Sequence, residues 1–298
     1  MKTANLQTRT IRLAGICGLL LAWTACSDEA VVDKPVGREI PVTIKAEINT
    51  SEYDTRATED LANVYDRSSF IENDLIRVTR TVANPDYRVY KLGSDGKTWS
   101  VQGNTPLSLR IGANYQATFP SNYAGIVPNQ ATKENYLASN QLQTPVATSS
   151  SGVLDFTDNN AFAHKNTKIT LEFAGVAGAV LGGTFSDFTI TGNGLHTGGN
   201  ASEQMTFYRP DDQVATWHGI VYPKSTATNI TTTVISLSLV YEKVKYTAEI
   251  NCPMVAGKHY KYSLKIQNDV LVPDGMTIDP WKNGDQFSGD LTPDTTTP

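Results

Sequence analysis

A two-residue alternation of apolar and polar side chains recurs along this chain and leaves little room for helices. Val42, Ile44, Ala46 and Ile48 alternate with Thr43, Lys45 and Glu47, which puts the two sets on opposite faces of an extended strand. A first strand is therefore expected from Glu39 to Ile48. Further strands are expected over Leu75 to Thr79, Tyr87 to Leu92, Trp99 to Val101, Leu107 to Ile111 and Tyr115 to Phe119. Ser94-Asp95-Gly96-Lys97 supplies the turn of a hairpin between the second and third of these. Later runs, at Lys168 to Phe173, Phe185 to Thr191, Thr216 to Tyr222, Thr232 to Tyr241, Lys243 to Ile250 and Tyr260 to Gln267, repeat the pattern. One short helix is expected, over Ala131 to Ser139. The reading is an all-β chain of antiparallel strands.

At 298 residues the chain has room for about two domains. The polar stretch Thr144 to Gly152 separates them, with the boundary near residue 155. Composition removes several function classes. Charged residues make up 18% and the net charge is −5, so no basic face is offered to nucleic acid. Cys17, Cys26 and Cys252 cannot form a disulfide framework, and His164, His196, His218 and His259 show no metal-ligand spacing. The sequence has no HExxH, GxSxG, phosphate-binding or dinucleotide-binding loop, so neither catalytic residues nor a cofactor are expected. The glycines of Ala174 to Gly183 read as a closely packed strand, and His164 as a hydrogen-bonded structural residue. Asp155, Asp158, Asp211 and Asp212 are the carboxylates left for a hydrolase, and Asp155 to Asn160 lacks the spacing of a calcium loop.

The N-terminus reads as an address. Lys2, Arg9 and Arg12 precede the uncharged run Leu13 to Ala25, which is too short to span a bilayer and ends in small residues before Cys26. Thr24-Ala25-Cys26 resembles a bacterial lipobox, with Trp23 in place of the usual aliphatic residue. Residues 1–25 are then a lipoprotein signal peptide and Cys26 carries the lipid. Ser27-Asp28-Glu29 resembles an outer-membrane export tract. Loss of Lys2, Arg9 and Arg12 takes the net charge from −5 to −8, so the acyl chains and not the surface charge would hold the protein to an anionic membrane.

Several short motifs, in order, resemble the fimbrillins, the subunits of type V pili. They are Thr55-Arg56-Ala57, Phe70 to Val78, Ser94-Asp95-Gly96 with Trp99, and Tyr115 to Pro120. Ala161 to His164, Lys168 to Leu171, Ala256 to Tyr262 and Ile278 to Trp281 complete the set. The resemblance implies two transthyretin-like antiparallel β-sandwich domains in tandem, over 57–155 and 156–281, after a lipidated pro-segment, 26–56, that carries the first strand. It also implies delivery to the cell outer membrane through the lipid on Cys26. An arginine-specific, trypsin-like surface protease would then cut between Arg56 and Ala57, with Arg38 and Arg67 as competing sites. Loss of Val42, Ile44, Ala46 and Ile48 would open a groove that a strand of another pilus subunit fills, giving a fimbrium that supports adhesion.

The tail, 282–298, would offer few apolar anchors as a donor strand: Phe287, Gly289 and Leu291 share a face before Pro293. A tip or minor subunit is expected on that ground. Two other classes stay open, a surface glycan-binding lipoprotein of a nutrient-uptake system, whose sign would be a row of exposed aromatics, and a lipid-anchored hydrolase.

Overall fold

The computed structural model describes residues 40–49, 69–81, 85–103, 105–174, 184–210, 215–226, 228–267 and 270–280. Its first half contains strands β1 (Thr43–Ala46), β2 (Leu75–Thr81), β3 (Asp86–Leu92), β4 (Trp99–Val101) and β5 (Asn114–Phe119). Helix α1 (Lys133–Ser139) follows, then short strands β6 (Leu142–Gln143), β7 (Ala147–Thr148), β8 (Val153–Phe156) and β9 (Ala163–His164). The second half contains β10 (Thr167–Ala174), β11 (Phe185–Asn193), β12 (Ser202–Met205), β13 (Thr216–Val221), β14 (Thr233–Tyr241), β15 (Val244–Cys252), β16 (Lys258–Gln267) and β17 (Val270–Pro280). The described residues are all-β with one short α-helix.

Two hydrophobic clusters organise these strands. The antiparallel sheet β4-β3-β2-β5-β6-β9, to which β7 adds beside β5, and the pair β1-β8 surround the first. Ile76, Val78, Tyr90, Leu92, Tyr115, Ala117 and Phe162 form its interior. The sheets β13-β10-β16-β17 and β12-β11-β14-β15 enclose the second. There Ile169, Leu171 and Phe173 share a cluster with Ile235, Leu237, Leu239, Tyr260, Tyr262 and Leu264, the period-two pattern expected of strands with one buried face.

The chain crosses between clusters. Ile126 and the helical Tyr136 belong to the second, whereas Leu154, Phe156 and Phe162, later in sequence, belong to the first. Gln130 fixes one crossing: its amide donates to the carbonyl of Ile220 at 2.7 Å and accepts from the Ile220 N–H at 2.9 Å. In this way a side chain continues the hydrogen bonding of β13 at its outer edge.

Several expectations hold locally. The Ser94–Lys97 turn is closed by Asp95, whose carboxylate accepts the hydroxyl and N–H of Thr98 and the N–H of Lys97. These bonds, the Thr98 hydroxyl foremost, hold its pKa down to about 2. His164 is buried and its Nδ1 lies 2.9 Å from Asn140 Oδ1. Cys252 is a buried free thiol, and burial pushes its pKa up to about 11.

Three features differ from the sequence reading. Two pairings are parallel, β1 with β8 and β10 with β16; alternation reports which face a residue occupies and carries no information on strand direction. Leu107 to Ile111 forms no strand beyond a bridge at Ser108: tyrosine hydroxyls take two of its N–H groups, Leu107 donating to Tyr90 at 3.1 Å and Arg110 to Tyr115 at 2.8 Å. Strand β17 is not among the expected strands, and Pro273-Asp274-Gly275 lies in its middle. In the fold these residues form a register shift opposite Ser263 and Leu264, and pairing resumes on both sides of it. Residues 175–183, read as a strand, lie outside the described residues.

Candidate functional site: the seat of the first strand

Residues 40–49 are bonded on both sides. Toward one neighbour, Val42 N–H donates to Leu107 O at 2.9 Å, Leu109 N–H donates to Ile40 O at 2.7 Å, and Pro41 bridges Ser108 in antiparallel sense. Toward the other, Thr43 donates to Gly152 O at 2.8 Å, Glu47 to Phe156 O at 3.1 Å and Asn49 to Phe162 O at 2.9 Å. Between these bonds β1 runs parallel to β8, with Ile44 opposite Leu154 and Ala46 opposite Phe156.

The side chains alternate as expected. Val42, Ile44 and Ile48 are 4%, 7% and 4% exposed and lie in the first cluster, while Ala46 is half-buried against it. At about 1.5–3 kcal/mol for each fully buried large aliphatic chain, the three deep residues contribute on the order of 5–9 kcal/mol. That is comparable with the whole net stability of a typical domain. On the solvent side, Lys45 and Asp155 are 3.9 Å apart and well exposed, a pair worth little. Glu47 does more, because its Oε1 accepts the N–H of Asp158 at 2.6 Å.

The walls of the seat are held separately. Arg80, itself buried, donates from Nη1 to Ser108 O at 2.8 Å and from Nη2 to Asp86 Oδ2 at 3.3 Å. Arg88 donates from Nε to Thr105 O at 3.0 Å, so β2 and β3 fix residues 105–108 without β1. Burial raises the Tyr90 hydroxyl pKa, which keeps it neutral beside Leu107. Gly152 is required: its φ is +86°, and a Cβ there would lie 3.0 Å from Ile40. At the far end, Phe162 bridges Ile48 and meets Phe70 edge-on at 5.1 Å, while Phe70 also meets Trp99 at 5.2 Å and Phe119 at 5.5 Å.

Val42, Ile44, Ala46 and Ile48 are thus brought together as one row. Cys26, Arg38, Arg56, Ala57 and Arg67 lie outside the described residues, as does the tail 282–298. Sequence reasoning did not find Leu107–Leu109, Gly152, Phe156 and Phe162 as the partners, or Glu47 and Arg80. Of these only Gly152, after three serines, carried a local signal, and it read as a linker.

The other candidates do not converge. Thr157 caps Asp155 at 2.6 Å and Asp158 begins an exposed 3-10 turn, while Asp211 and Asp212 lie outside the described residues. His218 Nδ1 and His259 Nε2 approach the Thr170 hydroxyl at 2.9 and 2.7 Å. Among the described residues no group of three His, Cys, Asp or Glu could hold a metal, and no helix is long and apolar enough to cross a membrane. The aromatic side chains more than a third exposed there are Tyr87, on β3, and Tyr222, just past β13, which make no row.

An all-β chain whose first described strand lies in the core between two separately anchored segments defines a class of β-sandwich-like fold. The profile of the fimbrillin-like family matches residues 55–281, and the chain belongs to that family. Among solved structures, a candidate cell adhesion protein from Bacteroides ovatus matches with a TM-score of 0.56 and 18% identity, over 83% of this chain and 99% of that one. Another from Bacteroides uniformis matches with a TM-score of 0.54 and 12% identity, over 84% and 100%. At these identities the likeness is one of fold. No curated protein matches the chain. The family is that of a fimbrial, cell-surface subunit.

Proposed function

We propose that this protein is a structural, non-enzymatic subunit of a surface fimbria that supports adhesion and assembles by protease-triggered strand exchange. The observation that carries the reading is the seat of β1. A strand that supplies three deep side chains to the first cluster precedes residue 55, where the family match begins, and the segment that follows it, 50–68, contains Arg56 and Arg67. In this reading the precursor is lipidated on Cys26 and exported to the outer membrane. The two clusters are its two sandwich domains, 57–155 and 156–281, exchanging segments at the seam. An arginine-specific surface protease cuts between Arg56 and Ala57, β1 leaves, and a strand of another pilus subunit enters by β-augmentation. The tail, with Phe287 and Leu291 as its main anchors, donates poorly, which suits a tip or minor subunit.

The test is assembly by an Arg56→Ala variant. It is expected to fold, to remain lipid-anchored at full length and to stay out of fimbriae. Normal incorporation of Arg56→Ala with a start at or near Ala57 would refute cleavage at this site.

A further inference from the structure

Away from the seat of β1, the second cluster carries buried titratable side chains that strand release does not involve. Along β10, Ile169, Leu171 and Phe173 belong to the core, so Lys168 and Thr170 take the other face of the strand. They are nevertheless only 2% and 1% exposed. On that face Thr170 lies opposite His218 of β13, and Lys168 lies opposite the buried His259 of β16. The segment that carries α1 sits against the same place. Tyr136 stands beside His218 with ring centroids 6.5 Å apart, and Gln130 bonds Ile220, the residue opposite Lys168 on β13. Asn166, two residues before Lys168, donates to Ser139 O at 2.8 Å.

We infer that this layer is a pH-sensitive clasp, which holds the α1 segment on the second cluster only while its two imidazoles carry at most one added proton between them. The Thr170 hydroxyl sets that limit. His218 Nδ1 and His259 Nε2 lie 2.9 and 2.7 Å from it, and a hydroxyl has a single proton to give. With both rings neutral, or one charged, it accepts from an N–H of one ring and donates to the bare nitrogen of the other. A second proton leaves no bare nitrogen facing it and sets two cations about one oxygen. The surroundings oppose that charge as well. Lys168 on β10, Lys261 opposite Thr170 on β16 and Lys133 one turn before Tyr136 on α1 occupy neighbouring places, with Tyr136 and with Tyr208, which bridges His218. The acids at neighbouring places are Asp279, opposite His259 on β17, and the exposed Glu172. Three lysines against two acids, in a layer removed from water, favour the neutral ring. An unfolded chain accepts both protons at about pH 6.5. The clasp's contribution is therefore complete above that pH and is lost as the pH falls below it.

The test is an NMR titration of the full chain from about pH 8 to about pH 5, with isotope-labelled imidazoles to follow its four histidines. Amide-exchange protection over α1, residues 133–139, is read alongside and corrected for the intrinsic exchange rate. His218 and His259 are expected to take up one proton between them while α1 stays protected, and the second only as that protection is lost. Below about pH 6.5 protection is expected to fall by up to about tenfold per pH unit, the slope of one proton. His218→Gln cannot charge, yet its side-chain oxygen can still accept from the Thr170 hydroxyl, so its α1 protection is expected to stay level over the same range. Full protonation of both rings with α1 protection unchanged overturns the clasp, as does an equal loss of protection in His218→Gln. Should that variant not fold, the titration of the unaltered chain decides alone.

Discussion

The described part of the chain begins and ends with a β-strand, and the two are seated in opposite ways. Strand β1 has four residues, yet its segment is bonded to neighbours on both sides and buries three large side chains. Strand β17 has eleven residues and pairs with β16 alone among the described strands. Among its described side chains Leu271 is the one fully buried, with Met276 half-buried, and a register shift at Pro273 to Gly275 interrupts its ladder. Ladder length and depth of seating are therefore independent. A short strand that completes a core leaves a groove when it departs, whereas a long edge strand leaves an edge. Pro273 and the shift also make β17 a poor template for a further strand, which is how natural sheets protect an edge.

The sharpest test of this contrast is substitution in the deep row. Ile44→Ala should cost about 2–5 kcal/mol, the range for a large aliphatic residue cut to alanine in a core, seen as a lower urea midpoint for the first cluster. Leu271→Ala should fall at the low end of that range, about 2 kcal/mol, because half-exposed neighbours on β17 can close over the space. A larger loss at Leu271 than at Ile44 would reverse the comparison. Gly152→Ala should cost about 1–3 kcal/mol by forcing a Cβ into the φ +86° position against Ile40. Glu47→Ala should cost about 1 kcal/mol, the net worth of the bond to Asp158.

The second cluster has a signature of its own at alkaline pH. Burial raises the Cys252 thiol from about 9 to about 11 and the Tyr260 hydroxyl to about 12. Both stay neutral in the fold after the unfolded chain has begun to ionise. Their stabilisation is thus present below pH 9 and falls as the pH rises from 9 toward 11. Cys252 should resist alkylation at pH 8.5 in the native protein and react once unfolded, as peptide mapping by mass spectrometry would show. Rapid native labelling would contradict the burial.

How much of this was legible in the sequence depends on the range of each interaction. Alternation identified the deep row of β1 and the inward face of Tyr260, Tyr262, Leu264 and Ile266, because strand faces are a local property. The partners of β1 were not legible, since Phe156 and Phe162 lie more than a hundred residues downstream of it and parallel pairing leaves no local mark. Leu107–Ile111 misled because its backbone is shared between a brief antiparallel bridge to residues 40–42 and two tyrosine hydroxyls.

The central claim, that β1 is a temporary occupant of the first cluster, is tested most directly by the N-terminal residue of the subunit recovered from assembled surface fimbriae. The account predicts a start at Ala57, with residues 40–49 gone from the polymerised chain. Recovery of assembled subunits that still carry residues 40–49 would contradict it.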